Sequence, residues 1–452
     1  MLGRLYLITA SGQILQSLMA LASLLLLARV LQPAGFGIAA LLTVGATLVS
    51  VATTAGIQAA ILVLTGREPG KRAQVHGLSM TVAVAIGAAC LAVAIVFGPR
   101  LAASLSPLLA PWILVLAAAR IGPTIYASLG TTELIGSGEI RRVAALNVIG
   151  GSSTLIGPLG AVLAPDALGG AVAGALIGNV VWAAAALVHG VRTSGIEIPR
   201  DTGLWRSVAG IALPLQIGTA AYWVMLRADA FILNAYAGSA TLGVYAIALS
   251  IADRVSVVTT PLYNATAWRV ASNDRAGSLD TTLLVLRLEV LAGVAMAIAA
   301  IVLGPSAIVL LAGPAYGPAA LPLAILLVGT ALLPVWGSLG LFLVSQVGGA
   351  VLTAAIQLIV AALAVVGYLV AIPAAGMIGA AGVSTAAYLL LVIVGLLAVR
   401  RRHPFPLRSL VPRPADARSA LASLVMLGRR QPVLAGPSAT AGDATPMNEP
   451  DG

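Results

Sequence analysis

The sequence predicts an all-α, polytopic membrane protein with about twelve transmembrane helices in two parallel six-helix bundles around a central cavity. Composition is the first reason, because 60% of the residues are hydrophobic and 9% are charged, against about 25% charged in soluble domains. The apolar residues also form runs of roughly 20 or more, the length of a helix that crosses a bilayer. Finally, VSVATTAGIQAA at Val49 returns 206 positions later as VSVVTTPLYNAT at Val255.

The first six spans form a predicted N-terminal bundle, residues 1–195. Charged residues and Gly/Pro clusters mark the span ends. The first apolar segment continues into LQPAGFG without a small-residue cleavage site, which favours a retained helix over a signal peptide. The predicted spans are 6–31, 37–64, 78–97, 108–129, 143–163 and 168–191.

The second six spans form a predicted C-terminal bundle, residues 196–402. They are 208–236, 241–262, 283–303, 321–344, 351–371 and 377–399. Residues 403–452 continue a basic run into a tail rich in Pro, Ala, Ser and Gly, which we expect to be cytoplasmic and disordered. Four prolines within the second half are predicted kinks that permit rocking: Pro214, Pro261, Pro322 and Pro334.

Basic residues lie mainly on one side of this topology. With the N-terminus inside, fourteen Lys and Arg residues fall on the inner side and two on the other. Cytoplasmic loops retain positive charge, so both termini are predicted to be cytoplasmic.

The repeated stretch indicates a duplicated architecture. At the offset of 206, Gly37 aligns with Gly243, and 49–54 matches 255–260 at five of six positions. Chance similarity in an Ala/Val-rich chain is the alternative, but the matches fall in the second span of each half. Since six passes is an even number, the halves run in the same direction and are parallel repeats about an axis along the membrane normal. This predicts a binding site between the halves.

Ionisable side chains inside the predicted spans are the informative residues, because each costs about 2.5–3.5 kcal/mol to insert. For Arg29, which ends the first helix, snorkelling to the membrane interface is as good an explanation as a place in a cavity, and it also explains Arg287. Arg287 and Glu289 lie in the first two turns of the ninth helix. For the neighbouring residues Arg227 and Asp229, and for Asp253 and Arg254, the alternative is ion pairs that only hold the seventh and eighth helices together. The candidates for a cavity are Arg29, Arg120, Arg227, Asp229, Asp253 and Arg254.

More arginine than acid in the interior suits an anionic solute, and the guanidinium fork matches phosphate oxygens. The diphosphate of a lipid carrier is one such solute. Uncharged polar residues offer hydrogen bonds to sugar hydroxyls, although most of them singly are equally suited to bridging helices. The candidates for glycan contacts are Gln13, Gln16, Gln58, Asn147 and Gln216.

Several classes of activity find no support. The single cysteine, Cys90, forms no disulfide or thiolate cluster, and His76, His189 and His403 lie near predicted loops, where we expect solvated side chains. No metal or cofactor site, phosphate loop or catalytic triad is recognisable. The scattered arginines do not indicate nucleic acid. We therefore predict a protein without cofactor that is not an enzyme.

Four stretches together resemble one family. They are LLARVLQPAGFGIAALLTVGATLVS, RADAFILNAYAGSATLGVYAIALSI, LAGPAYGPAALPLAILLVG and IPAAGMIGAAGVSTAAYLL. Their order and spacing resemble the polysaccharide-biosynthesis flippases of the multidrug/oligosaccharidyl-lipid/polysaccharide exporter superfamily, over nearly all of residues 1–402.

The resemblance implies a bacterial inner-membrane flippase for an undecaprenyl-diphosphate-linked oligosaccharide, used in O-antigen, capsule or exopolysaccharide synthesis. Its partners would be the lipid-linked oligosaccharide, the bilayer, and polysaccharide polymerase and chain-length proteins. The family's cavity is cationic, so Arg29, Arg120, Arg227 and Arg254 are expected to bind substrate. Two acids are expected to couple or gate transport, Asp229 and Asp253.

The sequence departs from two related groups. The related lipid II flippases usually have fourteen helices, and the drug antiporters of the superfamily carry an acid in the first helix, whereas residues 6–31 contain none. This absence disfavours a cation-coupled exporter of drugs or amphiphiles, which remains the alternative within transport because Asp229 offers a site for a coupling ion. A non-transporting scaffold of a glycan assembly complex, or an enzyme acting on lipid-linked sugars, are the alternatives outside it.

Overall fold

In a computed structural model, the described parts of the chain are residues 2–199, 202–257, 259, 263, 270, 275–347 and 349–411. They contain helices and no strand, which confirms the predicted all-α class. The long helices are α1 Leu2–Arg67, α2 Arg72–Leu105, α3 Pro111–Ala119, α4 Ile121–Gly136, α5 Ile140–Ser153, α6 Ile156–Leu163, α7 Ala167–Ser194, α8 Thr202–Ala252, α9 Arg275–Leu311, α10 Ala320–Thr330, α11 Leu333–Val347 and α12 Ala350–Arg402. Short 3-10 helices occupy Pro69–Lys71, Pro314–Ala319 and Leu407–Leu410.

Nine helical stretches within these ranges are long and apolar enough to cross a membrane. Three of the nine contain one non-helical residue each, namely Gln32 in α1, Gly238 in α8 and Gly376 in α12. The chain reverses there: Arg227 Nη2 lies 2.6 Å from Asp253 Oδ2, although a straight helix would separate them by about 39 Å. Likewise, Tyr368 Oη lies 3.0 Å from Ser384 Oγ within α12. With these hairpins, the described residues contain the twelve predicted passes.

The outer surface of the bundle is apolar, as a lipid-facing surface must be. Leu163, Leu310 and Val351 expose 81%, 74% and 80% of their surface. Large side chains that are fully buried instead pack inside each half, such as Leu129 in the first and Tyr245 in the second.

The two ends of the bundle differ in their connections. We call the end with the reversals at residues 32, 238 and 376 the hairpin end, and the opposite one the terminal end. At the hairpin end, the Asn234 amide donates to the Leu105 carbonyl at 2.7 Å. At the terminal end, the Glu197 N–H donates to the Ala73 carbonyl at 3.1 Å.

Three passes are broken near a proline. The breaks lie at Arg120 between α3 and α4, at 154–155 between α5 and α6, and at 331–332 between α10 and α11. Each lies two to four residues before a proline, and proline has no N–H to donate to the residue four positions back. The prolines are Pro123, Pro158 and Pro334. At the second break, the freed Thr154 carbonyl accepts a hydrogen bond from Ser23 Oγ at 2.7 Å.

The predicted kinks therefore have mixed outcomes. The kink at Pro334 is confirmed. The prediction for Pro322 is wrong, because this residue lies in the first turn of α10, where no helical hydrogen bond is lost. The chain is helical at Pro214, and Pro261 lies outside the described residues.

The backbone repeats at the offset found in the sequence. Gln32 has φ 56° and ψ 171°, and Gly238, which is 206 positions later, has φ 78° and ψ 168°. Both halves thus reverse between their first and second passes at the equivalent residue and with nearly the same backbone conformation.

The halves meet at the hairpin end through a symmetric pair of contacts. A Cβ built on Gly37 would overlap the carbonyl oxygen of Ser239, and one built on Gly243 would overlap that of Pro33. The same offset of 206 relates the two contacts, so α1 and α8 cross about a local two-fold axis. We call Pro33, Gly37, Ser239 and Gly243 the hairpin-end crossing.

A side-chain contact joins α1 and α8 further from the hairpin end. The Gly56 N–H donates to Gln216 Oε1 at 2.7 Å, and Gln216 Nε2 donates to the carbonyls of Val51 and Ala52 at 2.8 and 2.6 Å. Gly56 lies against the backbone of Ala212, where a Cβ would overlap the carbonyl oxygen. The Gln216 side chain therefore joins α8 to α1 through hydrogen bonds to the α1 backbone.

A buried polar network lies near the terminal end of the N-terminal half. His76 is fully buried, which corrects the expectation that it is solvated. Its Nδ1 lies 2.6 Å from Glu133 Oε2, and its Nε2 lies 3.0 Å from the Tyr126 hydroxyl. Ser79 donates to the other Glu133 oxygen. The network connects α2 to α4.

The residues that follow α12 pack onto the C-terminal half. The His403 ring meets Phe342 edge-on at 5.5 Å between centroids, and Phe405 is buried. Order thus continues to Val411, beyond the predicted start of the disordered tail at 403. Residues 412–452 lie outside the described residues, and their disorder stays a prediction.

Candidate functional site

A cavity of about 410 Å³ lies between the two halves, where the repeat predicted a binding site. In the first half its walls come from both passes of α1, from the breaks at Arg120 and Thr154, and from α7. In the second half they come from both passes of α8. We call it the central cavity. Its polar lining includes Ser23, Thr43, Thr47, Asn179, Arg120, Arg227 and Asp253.

Arg120 brings a cation to this cavity from the broken fourth pass. Its Nη1 makes one long hydrogen bond, 3.5 Å, to Thr43 Oγ1, and its Nε is buried without a hydrogen-bond partner in the described part of the chain. No carboxylate among the described residues lies within 4.0 Å of its guanidinium. The positive charge of Arg120 is therefore not compensated by an acid.

Arg227 supplies the second cation, from the opposite wall. Its Nη2 pairs with Asp253 Oδ2 at 2.6 Å, and its guanidinium carbon lies 5.8 Å from the centroid of the Trp223 ring. None of the described residues hydrogen-bonds its Nη1, which is buried. Since Asp253 is 37% exposed, the pair is accessible from the cavity. With Arg120, the central cavity carries one excess positive charge.

Asp229 lies two residues from Arg227 but points to another part of the molecule. It is fully buried and accepts hydrogen bonds from the Tyr245 hydroxyl at 2.6 Å and from the Ala230 N–H at 2.8 Å. The Ser384 hydroxyl is 3.4 Å away. Asp229 therefore joins α8 to α12 in the interior of the C-terminal half and does not line the central cavity.

Comparison with known proteins identifies the family. The model of the family described as "Polysaccharide biosynthesis protein" matches residues 2–268, which include most of the central cavity lining. The chain belongs to the polysaccharide biosynthesis protein family. No curated protein matches it.

The solved structures to which this fold is similar include two kinds of transporter. The chain is similar to the lipid II flippase MurJ in an inward closed conformation, with TM-score 0.70, 14% identity, and coverage of 93% of this chain and 91% of that chain. It is also similar to a multidrug resistance MATE family transporter of the MOP superfamily. The inward-facing form gives TM-score 0.68, 15% identity and coverage of 88% and 98%, and an outward-facing form gives 0.62, 15%, 87% and 96%. These likenesses show the fold of this polysaccharide biosynthesis family member.

Two of the four arginines predicted for the cavity do not line it. Arg29 is exposed near the hairpin end, where the Gln32 side chain caps its carbonyl at 3.0 Å. Arg254 is half-buried just beyond α8, with its Nε buried and unpartnered. Substrate binding stays a prediction for all four arginines, of which Arg120 and Arg227 line the central cavity from opposite halves.

The amide residues proposed for glycan contacts mostly lie within helix contacts. Gln58 donates to Ser128 Oγ at 2.8 Å, and Gln216 holds the α1 backbone as described above. Gln16 packs against Gly151, and Asn147 is half-buried on α5. The backbone of Gln13 is helical, and its side chain lies outside the described residues. None of the four described side chains lines the central cavity.

A second cavity of about 450 Å³ lies inside the C-terminal half. Trp223, Arg227 and Asp253 line both cavities, so the ion pair stands between them. We call it the side cavity. Its lining adds four residues for which the sequence predicted no role in a cavity: Tyr222, Tyr263, Glu289 and Trp336.

Glu289 lies further from the start of its helix than the sequence indicated. Because α9 begins at Arg275, Glu289 is about four turns into the helix, whereas the first two turns were predicted. Its side chain is fully buried. In the described parts of the chain, no three His, Cys, Asp or Glu side chains come together as a metal site.

Proposed function

We propose that this protein translocates an undecaprenyl-diphosphate-linked oligosaccharide across the bacterial inner membrane, for O-antigen, capsule or exopolysaccharide synthesis. The uncompensated Arg120 in the central cavity carries the proposal. A buried cation without a counter-ion is unfavourable inside a membrane unless an anionic ligand supplies the negative charge. Membership in the polysaccharide biosynthesis family points to a glycan carrier as that ligand.

The diphosphate would lie between Arg120 and Arg227. Both guanidinium groups have a buried nitrogen without a hydrogen-bond partner, and phosphate oxygens are matched acceptors for such donors. A diphosphate on Arg227 competes with Asp253 for the same cation. We therefore assign Asp253 a gating role, in which substrate binding releases its carboxylate.

Alternating access would expose the central cavity to one side at a time. Two lobes, residues 1–195 and 196–402, rock about the contacts between α1 and α8, with the polyprenyl chain left in the lipid. The terminal end faces the cytoplasm, as the distribution of basic residues supports. Polymerase and chain-length proteins would receive the exported product.

The first test is export in cells that lack the gene, complemented with the wild type, Arg120→Ala or Arg227→Ala. We expect surface polysaccharide to be lost and lipid-linked repeat units to accumulate on the cytoplasmic side, with protein levels unchanged. The matched control is Arg100→Ala, an exposed arginine remote from both cavities, which should export normally. Normal export by both cavity variants would refute the site.

A cation-coupled exporter of drugs or amphiphiles is the alternative, and the buried carboxylate of Asp229 is the observation in its favour. If Asp229 couples transport to an ion, Asp229→Asn abolishes ion-driven efflux of such compounds. If the protein is a glycan flippase in which Asp229 supports the C-terminal half, Asp229→Asn leaves part of the glycan export intact and confers no change in drug resistance.

A further inference from the structure

We propose that the side cavity binds the sugar residues nearest the diphosphate, so that the substrate's anion and its sugars occupy adjoining cavities. The inference rests on the proposed function and adds to it a site for the glycan. Three features of the side cavity carry it: aromatic walls, a buried carboxylate oxygen without a donor, and a shared boundary with the central cavity.

The walls suit the faces of sugar rings. Tyr222, Trp223, Tyr263 and Trp336 all line the cavity. Aromatic faces carry partial negative charge and pack against the weakly positive C–H groups of a pyranose. Trp336 is held in place, since its Nε1 donates at 3.2 Å to Gln357, with the amide oriented so that its oxygen faces the indole.

Glu289 supplies an acceptor in the same cavity. Its Oε1 accepts a hydrogen bond from Ser338 Oγ at 2.9 Å, and its Oε2 is buried and has no hydrogen-bond partner among the described residues. A carboxylate oxygen that lacks a donor is costly in such a place. Sugar hydroxyl and amino groups are donors of the required kind, whereas a phosphate would be repelled.

The boundary between the cavities matches the connectivity of the substrate. Arg227, Asp253 and Trp223 line both cavities, and the first sugar is joined directly to the diphosphate. A diphosphate on the Arg120 side of Arg227 thus places the first sugar beside the ion pair, within reach of the side cavity. The charges agree, because the central cavity is cationic and the side cavity adds the acid Glu289.

The test measures binding of two lipids to the full chain in lipid nanodiscs. One is the lipid-linked oligosaccharide extracted from cells that lack the gene, and the other is undecaprenyl diphosphate without sugar. We expect Glu289→Ala to weaken binding of the first about tenfold, the effect of one lost hydrogen bond to a charged group, and to leave binding of the second within twofold. Arg120→Ala should weaken both.

Tyr222→Leu is a second variant, because this half-buried residue lines only the side cavity. It should show the same selectivity for the glycan-bearing lipid even if Glu289→Ala does not fold. Unfolding temperatures of each variant identify losses of fold.

The outcomes separate the two proposals. If the wild type binds both lipids equally well, or if both variants weaken both lipids equally, the side cavity does not recognise sugar, while the flippase proposal stands. If the wild type binds neither lipid, the flippase proposal fails together with this inference.

Discussion

At the scale of single residues, Arg120 shows what the sequence can and cannot specify. Its position inside an apolar span without an acid in its own helix predicted a cavity residue, and it lines the central cavity. The expectation of a cationic cavity also selected Arg29 and Arg254, which do not line it. Composition identifies the residues that are costly to place in a membrane. The direction of a side chain, however, depends on where a helix ends or breaks, as α3 and α4 do at Arg120.

The directions of neighbouring charged side chains in a helix could be predicted from the sequence. Residues one or two positions apart in a helix point in different directions. Accordingly, Arg227 pairs with Asp253 rather than with Asp229. The partner of Asp229 could not have been predicted, because Tyr245 and Ser384 come from different passes.

The buried pair of His76 and Glu133 should stabilise the N-terminal half. Removing one partner leaves a buried polar group unsatisfied, so His76→Leu should reduce the free energy of unfolding by about 3 kcal/mol. Glu133→Leu should do the same, and the double variant should lose less than the sum of the two. Thermal unfolding in detergent measures all three. Fully additive losses would show that the two side chains do not interact.

At the scale of helices, the apolar runs predicted all twelve passes. The boundaries differ by several residues because apolarity marks the hydrocarbon layer, whereas helices continue beyond it, as α9 does from Arg275 to Leu311 around a predicted span of 283–303. The breaks were harder to predict. Pro123 and Pro334 both stand just after a break, but Pro322 stands at a helix start, and the sequence alone does not distinguish these settings.

Close packing of α6 on α7 depends on glycines spaced four apart. Cβ atoms built on Gly170, Gly174 and Gly178 would overlap carbonyl oxygens of Gly160, Ile156 and Ser153. Small residues at this spacing let membrane helices approach closely. Gly174→Ala should therefore force the helices apart and destabilise the protein by about 1–3 kcal/mol.

The matched control for Gly174→Ala is Gly382→Ala in α12, where a built Cβ has no atom within 4 Å. It should be neutral or slightly stabilising, since alanine is the better helix former by about 0.5–1 kcal/mol. Equal unfolding temperatures for the two variants would mean that the α6–α7 packing is not tight.

At the scale of the whole molecule, the hairpin-end crossing separates the central cavity from one side of the membrane. Gly37→Ala cannot be accommodated without moving α8, so it should favour conformations that are open at the hairpin end. With Cys90→Ala and Thr47→Cys as a reporter in the central cavity, labelling by an impermeant thiol reagent from that side should become several-fold faster.

Gly382→Ala in the same reporter background controls for the substitution itself, and its labelling rate should equal that of the parent. A folded Gly37→Ala variant that is labelled no faster would show that another contact closes the hairpin end. Faster labelling from the terminal end instead would reverse the assignment of the closed side.

The crossing also bears on how such a protein arises. Each half presents the same surface to the other, which is the isologous geometry of a symmetric homodimer. A half-length ancestor would have met its own copy here, and one glycine codon would have shaped both sides of the interface. After a fusion the two copies are free to differ, as they do at this reversal: Gln32 has a positive φ, worth about 1–3 kcal/mol of strain for a residue with a Cβ, whereas the equivalent residue of the second half is Gly238.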